Sequence, residues 1–553
     1  MTSQAAKAEP LRRWDRETAL VAQLAACVSF ISFAYYFQHN GLLLYGDAVA
    51  HINIARRVFD SRTPGLLQLG TVWLPLPHLL MIPFLLSDKA WQSGIGGSVP
   101  SMVAYALECA GIFRLVRSTL SVDSRPDPTA RIAAWLSAIV YAANPNLIYL
   151  QTTAMTESLY LALFIWAVVY FSEFVQESFQ EDGPPPAAGS SLVKCGLCLA
   201  AACLTRYDGW FLAVAMCTAA FAVALQAKNQ IPRRSLAKFV IIAAAAPALW
   251  LAYNAIIYRN PLEFANGPYS ARAIEQKSAS PGSPAHPGSH DLPVAFSYFF
   301  KSAELNLAEG IWQKLWVALL LAGTLAILIF DRRLWPLLLL WAPLPFYMLS
   351  IAYSGVPIFL PTWWPFSFYN VRYGLQFLPL FSVSAALPAY FLLRSARHKY
   401  AKTGVIAAIP ILTAASYVSV WLAQPVCFHE AWVNSRTRIA LETELASTLT
   451  KLPHDSSLLM YLGDHVGALQ RAGIPLRRTI NEGNHRPWKA PVDSEGLWER
   501  ALANPSQYVD FVIAMDGDPV DVGVRKQDLA SLVVIRTSGQ PAATIYWTHR
   551  SSR

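Results

Sequence analysis

The sequence predicts a polytopic α-helical membrane protein, with about eleven transmembrane helices, that ends in a small α/β domain. Three observations carry this reading. Hydrophobic residues make up 54% of the chain and charged ones only 14%, about half the charged share of an ordinary soluble domain. The apolar residues collect in runs close to the 20 or so that a bilayer-spanning helix needs. Past residue 424 that pattern gives way to a mostly polar stretch with short apolar runs. The net charge of +9 reflects basic anchors at helix ends and requires no nucleic-acid partner.

Residues 1–17 form a cytosolic tail carrying Arg12, Arg13 and Arg16. The first span, 18–38, lacks a small-residue cleavage site and is read as a retained helix, not a signal peptide. Ten further spans follow at 98–115, 132–150, 156–175, 190–205, 209–225, 238–258, 312–330, 334–350, 374–393 and 404–422, making a membrane domain over 18–423. The segment "VWLPLPHLLMIPFLL" at 72–86 is apolar too. Its three prolines interrupt the helical hydrogen-bond ladder, so it reads as a juxtamembrane or re-entrant piece.

Orientation follows from the basic residues. With the N-terminus in the cytosol, alternation puts Arg114/Arg117/Arg131, Arg233/Arg234/Lys238, Arg332/Arg333 and Arg394/Arg397/Lys399/Lys402 on the cytosolic side, as positive-inside sorting requires. Arg56 and Arg57 are the exception. They fall in the long first outer loop, 39–97; the other long outer loop covers 259–311.

The polar stretch, 424–553, reads as an exoplasmic α/β domain. The strand-like runs "SLLMYLG", "YVDFVIAM", "SLVVIRT" and "ATIYW" alternate with the helical "DHVGALQRAG" and turn-rich segments. Six of the seven cysteines lie in apolar segments and Cys427 stands alone beyond them, so no disulfide framework is implied. The "CGLC" at 195–198 sits inside an apolar helix, where packing is its natural role.

The same topology gathers unusual polar residues at the outer helix ends: "YGDAVAHINIARR", "QTTAMTESLY", "TRYDGW", "ANGPYSARAIEQ" and "FYNVRYGLQFLPLF". Inner loops hold little besides basic anchors. Thr156 and Asp208 stand just before helical runs and fit helix caps equally well.

An apolar first helix followed at once by an acid in a long outer loop, then "MTESLYLALF", "LTRYDGWFL" and a late "VRYGLQFLPLF", resembles the GT-C superfamily. The style is nearest its family 39 and dolichyl-phosphate-mannose protein mannosyltransferase-like members. The resemblance spans the chain to about residue 422. It implies a glycosyltransferase that uses a polyprenyl-phosphate sugar and a glycan, lipid or protein acceptor. Members often carry two adjacent acids in the first loop; here Asp47 stands between Gly46 and Ala48, so one carboxylate carries over.

The chemistry can also be read from the residues. Sugar transfer from a lipid phosphate needs a base for the acceptor hydroxyl and cations for the departing phosphate. Asp47 at the water–lipid boundary is the candidate base. Arg372 at the outer mouth of the tenth helix is the leading phosphate contact, since a guanidinium grips phosphate bidentately. Arg272, Arg56 and Arg57 are further candidates of that kind, and Glu157, Tyr269 and His51 complete the substrate contacts. Arg206 has equal claim to a structural clamp with Asp208 or Glu157. Asp47 and His51 lie one helical turn apart, a spacing that suits a shared divalent metal. Two ligands do not define a metal site, and no cofactor is assigned. One base and direct displacement imply inversion at the anomeric carbon.

Two other classes compete. A lipid or polysaccharide transporter or flippase places ionisable groups at the bilayer midplane, and Glu108, midway along the second span, is the one clear instance. A membrane scaffold displaying its C-terminal domain predicts that deleting 425–553 removes all function.

Overall fold

With no water in the hydrocarbon core, each spanning segment must satisfy its own backbone groups, and apolar runs therefore fold as helices. The computed structural model describes residues 15–121, 127–179, 186–226, 233–278, 284–484 and 495–548. Arg12 and Arg13 of the predicted tail lie outside them. Among the described residues nine helical segments are long and apolar enough to cross a membrane, and the chain is a mostly helical membrane protein.

Two of the eleven predicted spans do not reach that length. The run at 132–150 is cut at Asn144: its side chain accepts from the amides of Asn146 and Leu147, each at 3.0 Å, and caps a separate helix, Pro145–Leu150, that opens with a proline. What remains is Pro128–Ala142. The run at 190–205 lies in the helix Pro186–Cys203, whose apolar part, Gly189–Cys203, is too short to span. Burial separates centre from periphery. In Glu157–Ser178 and Val371–Ser395, 83% of the most apolar stretch is buried, against 22% in Arg16–Gln38.

The connection after Arg16–Gln38 holds the helix Gly46–Arg57 and then the proline-rich piece, which forms the short helix Pro75–Met81 and a 3₁₀ turn, Ile82–Leu85. The final domain is built on a five-stranded sheet of β1 (Leu458–Met460), β2 (Thr479–Ile480), β3 (Phe511–Met515), β4 (Ala530–Ile535) and β5 (Ala543–Trp547), in the order β2-β1-β3-β5-β4. Strands β2, β1 and β3 run parallel; β5 is antiparallel to both β3 and β4. All five residues of β3 are buried, as expected of a central strand covered on both faces.

This sheet domain sits on the first loop. Asn53 donates to Gln470 at 2.7 Å, Gln470 donates to the Trp91 carbonyl at 2.7 Å, and Arg477 pairs with Asp60 at 3.1 Å. The helix Val426–Leu449 ties it to the bundle. Tyr45 donates to the Cys427 carbonyl at 2.8 Å, and the Cys427 amide donates to Asn146 at 2.9 Å. All seven cysteines are free thiols.

Candidate active site

The five polar segments meet. Each contributes to the wall of one cavity of about 490 Å³, through Asp47 and His51, Glu157, Arg206 and Asp208, Arg272, and Arg372 respectively. Helix starts position most of these side chains. Asp47 lies in the first turn of Gly46–Arg57 and His51 one turn further on; Glu157 opens Glu157–Ser178, and Asp208 opens Asp208–Gln226. Carboxylates are favoured there because first-turn amides and the helix dipole favour negative charge. Arg372 lies in a 3₁₀ turn, Val371–Phe377, entered through Asn370 in the left-handed region with φ 58. Two residues on, Gly374 packs directly on the Ser302 backbone of the helix Leu292–Leu305. A side chain there would push the turn out of place.

Arg372 is the hub. Its Nη2 donates to Asp47 Oδ2 at 2.6 Å, Nε to Glu157 Oε1 at 3.1 Å and Nη1 to Glu430 Oε1 at 3.0 Å. The rings of Tyr45 and Tyr373 lie 5.1 Å from the guanidinium carbon. Arg206 forms the second hub: Nη1 meets Glu157 at 3.2 Å, Nε meets Asp208 at 3.2 Å, and Nη2 donates to the Tyr347 hydroxyl at 3.0 Å. Glu157 thus stands between two arginines. Thr156 makes no capping bond through its side chain; its hydroxyl accepts from Arg206 at 3.1 Å instead. Arg272, on the same cavity wall, has no ion-pair partner among the described residues.

His51, expected as a substrate contact, lines the cavity beside a second histidine. Its Nδ1 lies 2.9 Å from His78 Nε2, and its ring packs 4.7 Å from that of Trp73. Burial, with the nearby charges of Arg206 and Arg372, pushes its pKa down to about 3. A neutral imidazole offers the cavity a hydrogen bond, not a positive charge.

Other predicted contacts lie elsewhere. Arg56 is buried and donates to Asp60 at 2.9 Å, Asp88 at 2.5 Å and the Leu85 carbonyl at 2.6 Å. It clamps the first loop and lines neither cavity, and the expected phosphate role gives way to a structural one. Arg57 faces the sheet domain, 3.6 Å from Glu482, with Tyr269 beside both; neither Arg57 nor Tyr269 lines the cavity. Glu108 is fully buried, accepts from Tyr141 at 2.8 Å and lines no described cavity. Among the described residues no three His, Cys, Asp or Glu side chains converge as metal ligands.

A second, apolar groove has a volume of about 550 Å³. It is lined by Leu159, Leu163 and Trp166 from the helix that Glu157 opens, and by Leu80, Phe84 and Val103 across from them.

No family model matches the chain, and no curated protein sequence is similar to it. Solved structures are similar in fold. ArnT from Cupriavidus metallidurans bound to undecaprenyl phosphate superposes with a TM-score of 0.57 at 13% identity, over 95% of this chain and 97% of that one. Its apo state gives 0.57 at 14% identity, over 96% and 98%. The apo oligosaccharyltransferase of Archaeoglobus fulgidus gives 0.50 at 11% identity, over 97% of this chain and 75% of that one. The chain has the GT-C fold.

Within this site, sequence reasoning missed Glu430, His78 and Tyr347. Glu430 lies one turn into the helix Val426–Leu449, in a stretch assigned to the exoplasmic domain. An acid so close to the end of an apolar span was its signal. His78 was a lone polar residue inside the proline-rich apolar piece. Tyr347 carried no signal among so many aromatic residues.

Proposed function

We propose that this GT-C protein is an integral-membrane glycosyltransferase that moves a monosaccharide from a polyprenyl-phosphate donor to a glycan, lipid or protein acceptor on the exoplasmic face. One observation carries the reading: Asp47, Arg372 and Arg272, the last with no ion-pair partner among the described residues, share one cavity. A lipid-linked sugar has the matching chemistry, a hydroxyl-bearing head for the carboxylate and a phosphate for the guanidinium groups. The fold is shared with an ArnT structure that holds undecaprenyl phosphate.

In this reading Asp47 takes the proton of the acceptor hydroxyl as that oxygen attacks the anomeric carbon. The bond from that carbon to the phosphate oxygen breaks, and the lipid phosphate departs with the bonding pair. Arg272 balances the growing charge. A guanidinium has five N–H donors, so Arg372 retains donors beyond the three held by carboxylates. Attack opposite the leaving group inverts the anomeric centre. The transporter alternative loses its main support, because Glu108 is enclosed, bonded to Tyr141 and part of neither cavity wall.

The test is to extract lipids from cells carrying Asp47→Asn and analyse them by mass spectrometry. A sugar-linked polyprenyl phosphate should accumulate relative to wild type. Unchanged lipid-linked sugars, with the variant present in the membrane, would overturn the proposal.

A further inference from the structure

We propose that His78 fixes the tautomer of His51, so that Nε2 of His51 stands in the cavity as a bare acceptor for a substrate hydroxyl. That the hydroxyl belongs to a sugar donor or its acceptor rests on the glycosyl-transfer reading; the tautomer does not.

The argument starts from proton counting. His51 Nδ1 and His78 Nε2 are 2.9 Å apart, so one nitrogen carries the proton and the other accepts it. His78 is fully buried, and its other nitrogen, Nδ1, has no hydrogen-bond partner of good geometry. The backbone group acting on the ring is the Leu74 carbonyl, one turn back along the chain. A protonated Nδ1 is attracted to that oxygen, whereas a bare Nδ1 sets lone pair against lone pair. The proton of His78 therefore belongs on Nδ1. Its Nε2 is bare and accepts from His51 Nδ1–H. Because His51 is neutral, its Nε2 then has no proton.

That nitrogen makes no hydrogen bond among the described residues, and His51 lines the cavity one turn from Asp47. Trp73, packed on the imidazole, holds the ring plane. The result is an acceptor without charge beside the proposed base, suited to receiving an O–H and unsuited to an anionic oxygen. His51 touches substrate in this scheme, and His78 is a positioning residue. Without the His78 acceptor, the His51 proton loses its partner on Nδ1 and moves to Nε2, where cavity water receives it.

The tautomer is read by ¹⁵N spectroscopy of the full-length protein in detergent, labelled at its 11 histidines, with His51→Gln and His78→Gln assigning the signals. The expected result is His51 with Nδ1 protonated and Nε2 bare, switching to a protonated Nε2 in His78→Leu. A wild-type His51 that carries its proton on Nε2 overturns the proposal, whatever the enzyme's activity.

The hydroxyl contact is read by transfer kinetics, with the native host's polyprenyl-linked sugar extract as donor and its envelope fraction as acceptor. His78→Leu should raise the apparent KM for one of them about tenfold, the value of one lost hydrogen bond. His78→Gln, whose amide oxygen can accept from His51, should restore most of it. A rise for the extract puts the hydroxyl on the donor sugar; a rise for the envelope fraction puts it on the acceptor. No rise for either, in a folded His78→Leu protein with its tautomer switched, overturns the contact. Absence of transfer by the wild-type protein would instead count against the proposed function, leaving the spectroscopic result to stand alone.

Discussion

Arg372 donates to the Asp47 carboxylate at 2.6 Å, across 325 residues of sequence. The side chain of Asp47 stays 43% exposed while that of Arg372 is 7% exposed, so the pair is open on the carboxylate side alone. The acid meets whatever enters the cavity, and the guanidinium anchors it from behind.

Asp47 variants should therefore lose chemistry and keep stability. Asp47→Asn retains the shape but cannot take a proton, and turnover should fall by about 10²- to 10⁴-fold, the usual contribution of a general base. The melting temperature should change little, because the carboxylate is half in water. Asp47→Glu should recover part of the rate. A turnover of Asp47→Asn within a few-fold of wild type would refute the assignment.

Arg372 variants should do the reverse. Removing the guanidinium leaves buried Glu430 without its counter-charge and buried Glu157 with Arg206 alone, and breaking such a buried network costs about 3–5 kcal/mol. Arg372→Gln should show a large fall in melting temperature in detergent. Arg372→Lys should not rescue it, because one ammonium cannot reproduce a planar fork held by three carboxylates.

Arg272→Gln isolates phosphate binding from folding. The residue is exposed on the short helix Ala271–Ser278 and has no carboxylate to strand among the described residues. The apparent KM for the lipid-phosphate donor should rise about tenfold, as expected for loss of one charge-assisted hydrogen bond, with the melting temperature unchanged. Equal donor affinity in the variant would move the phosphate elsewhere in the cavity.

Stability should depend on acidity through His51. Its pKa is about 3 in the folded protein, against 6.5 for the free side chain. Below pH 6.5 the unfolded chain binds a proton that the folded chain refuses, so this stabilisation is complete above 6.5. It is lost as pH falls toward 3, by up to about 1.4 kcal/mol per pH unit. Melting temperatures measured from pH 7 to 5 should fall, and fall less steeply in His51→Gln. Parallel slopes for the two proteins would contradict the burial argument.

What the sequence made legible was the placement of polar residues against apolar ones. Asp47, Glu157, Arg206, Asp208, Arg272 and Arg372 all stood out as ionisable groups at or near the ends of apolar runs, and the fold brings all of them to one cavity. Which partner each one takes was not legible, since pairings such as Arg372 with Glu430 join residues from separate helices. Arg56 shows the limit most clearly. Beside Arg57 in sequence it read as a candidate phosphate contact, yet Asp60, Asp88 and the Leu85 carbonyl enclose it. The break at Asn144–Pro145 was visible as a capping residue before a proline, but hydrophobicity summed over 132–150 concealed it.

The helix Val426–Leu449 changes how a truncation must be designed. About 36 Å long at 1.5 Å per residue, it carries Glu430 to Arg372 near one end. Further along, Arg438 braces the carbonyls of Leu43 and Leu44, just ahead of Asp47. Cutting the chain at Pro425 would remove both struts along with the sheet, so an inactive product would say nothing about the sheet's own job. A stop placed after Leu449 spares the struts, and only that shorter deletion can ask what the terminal domain is for.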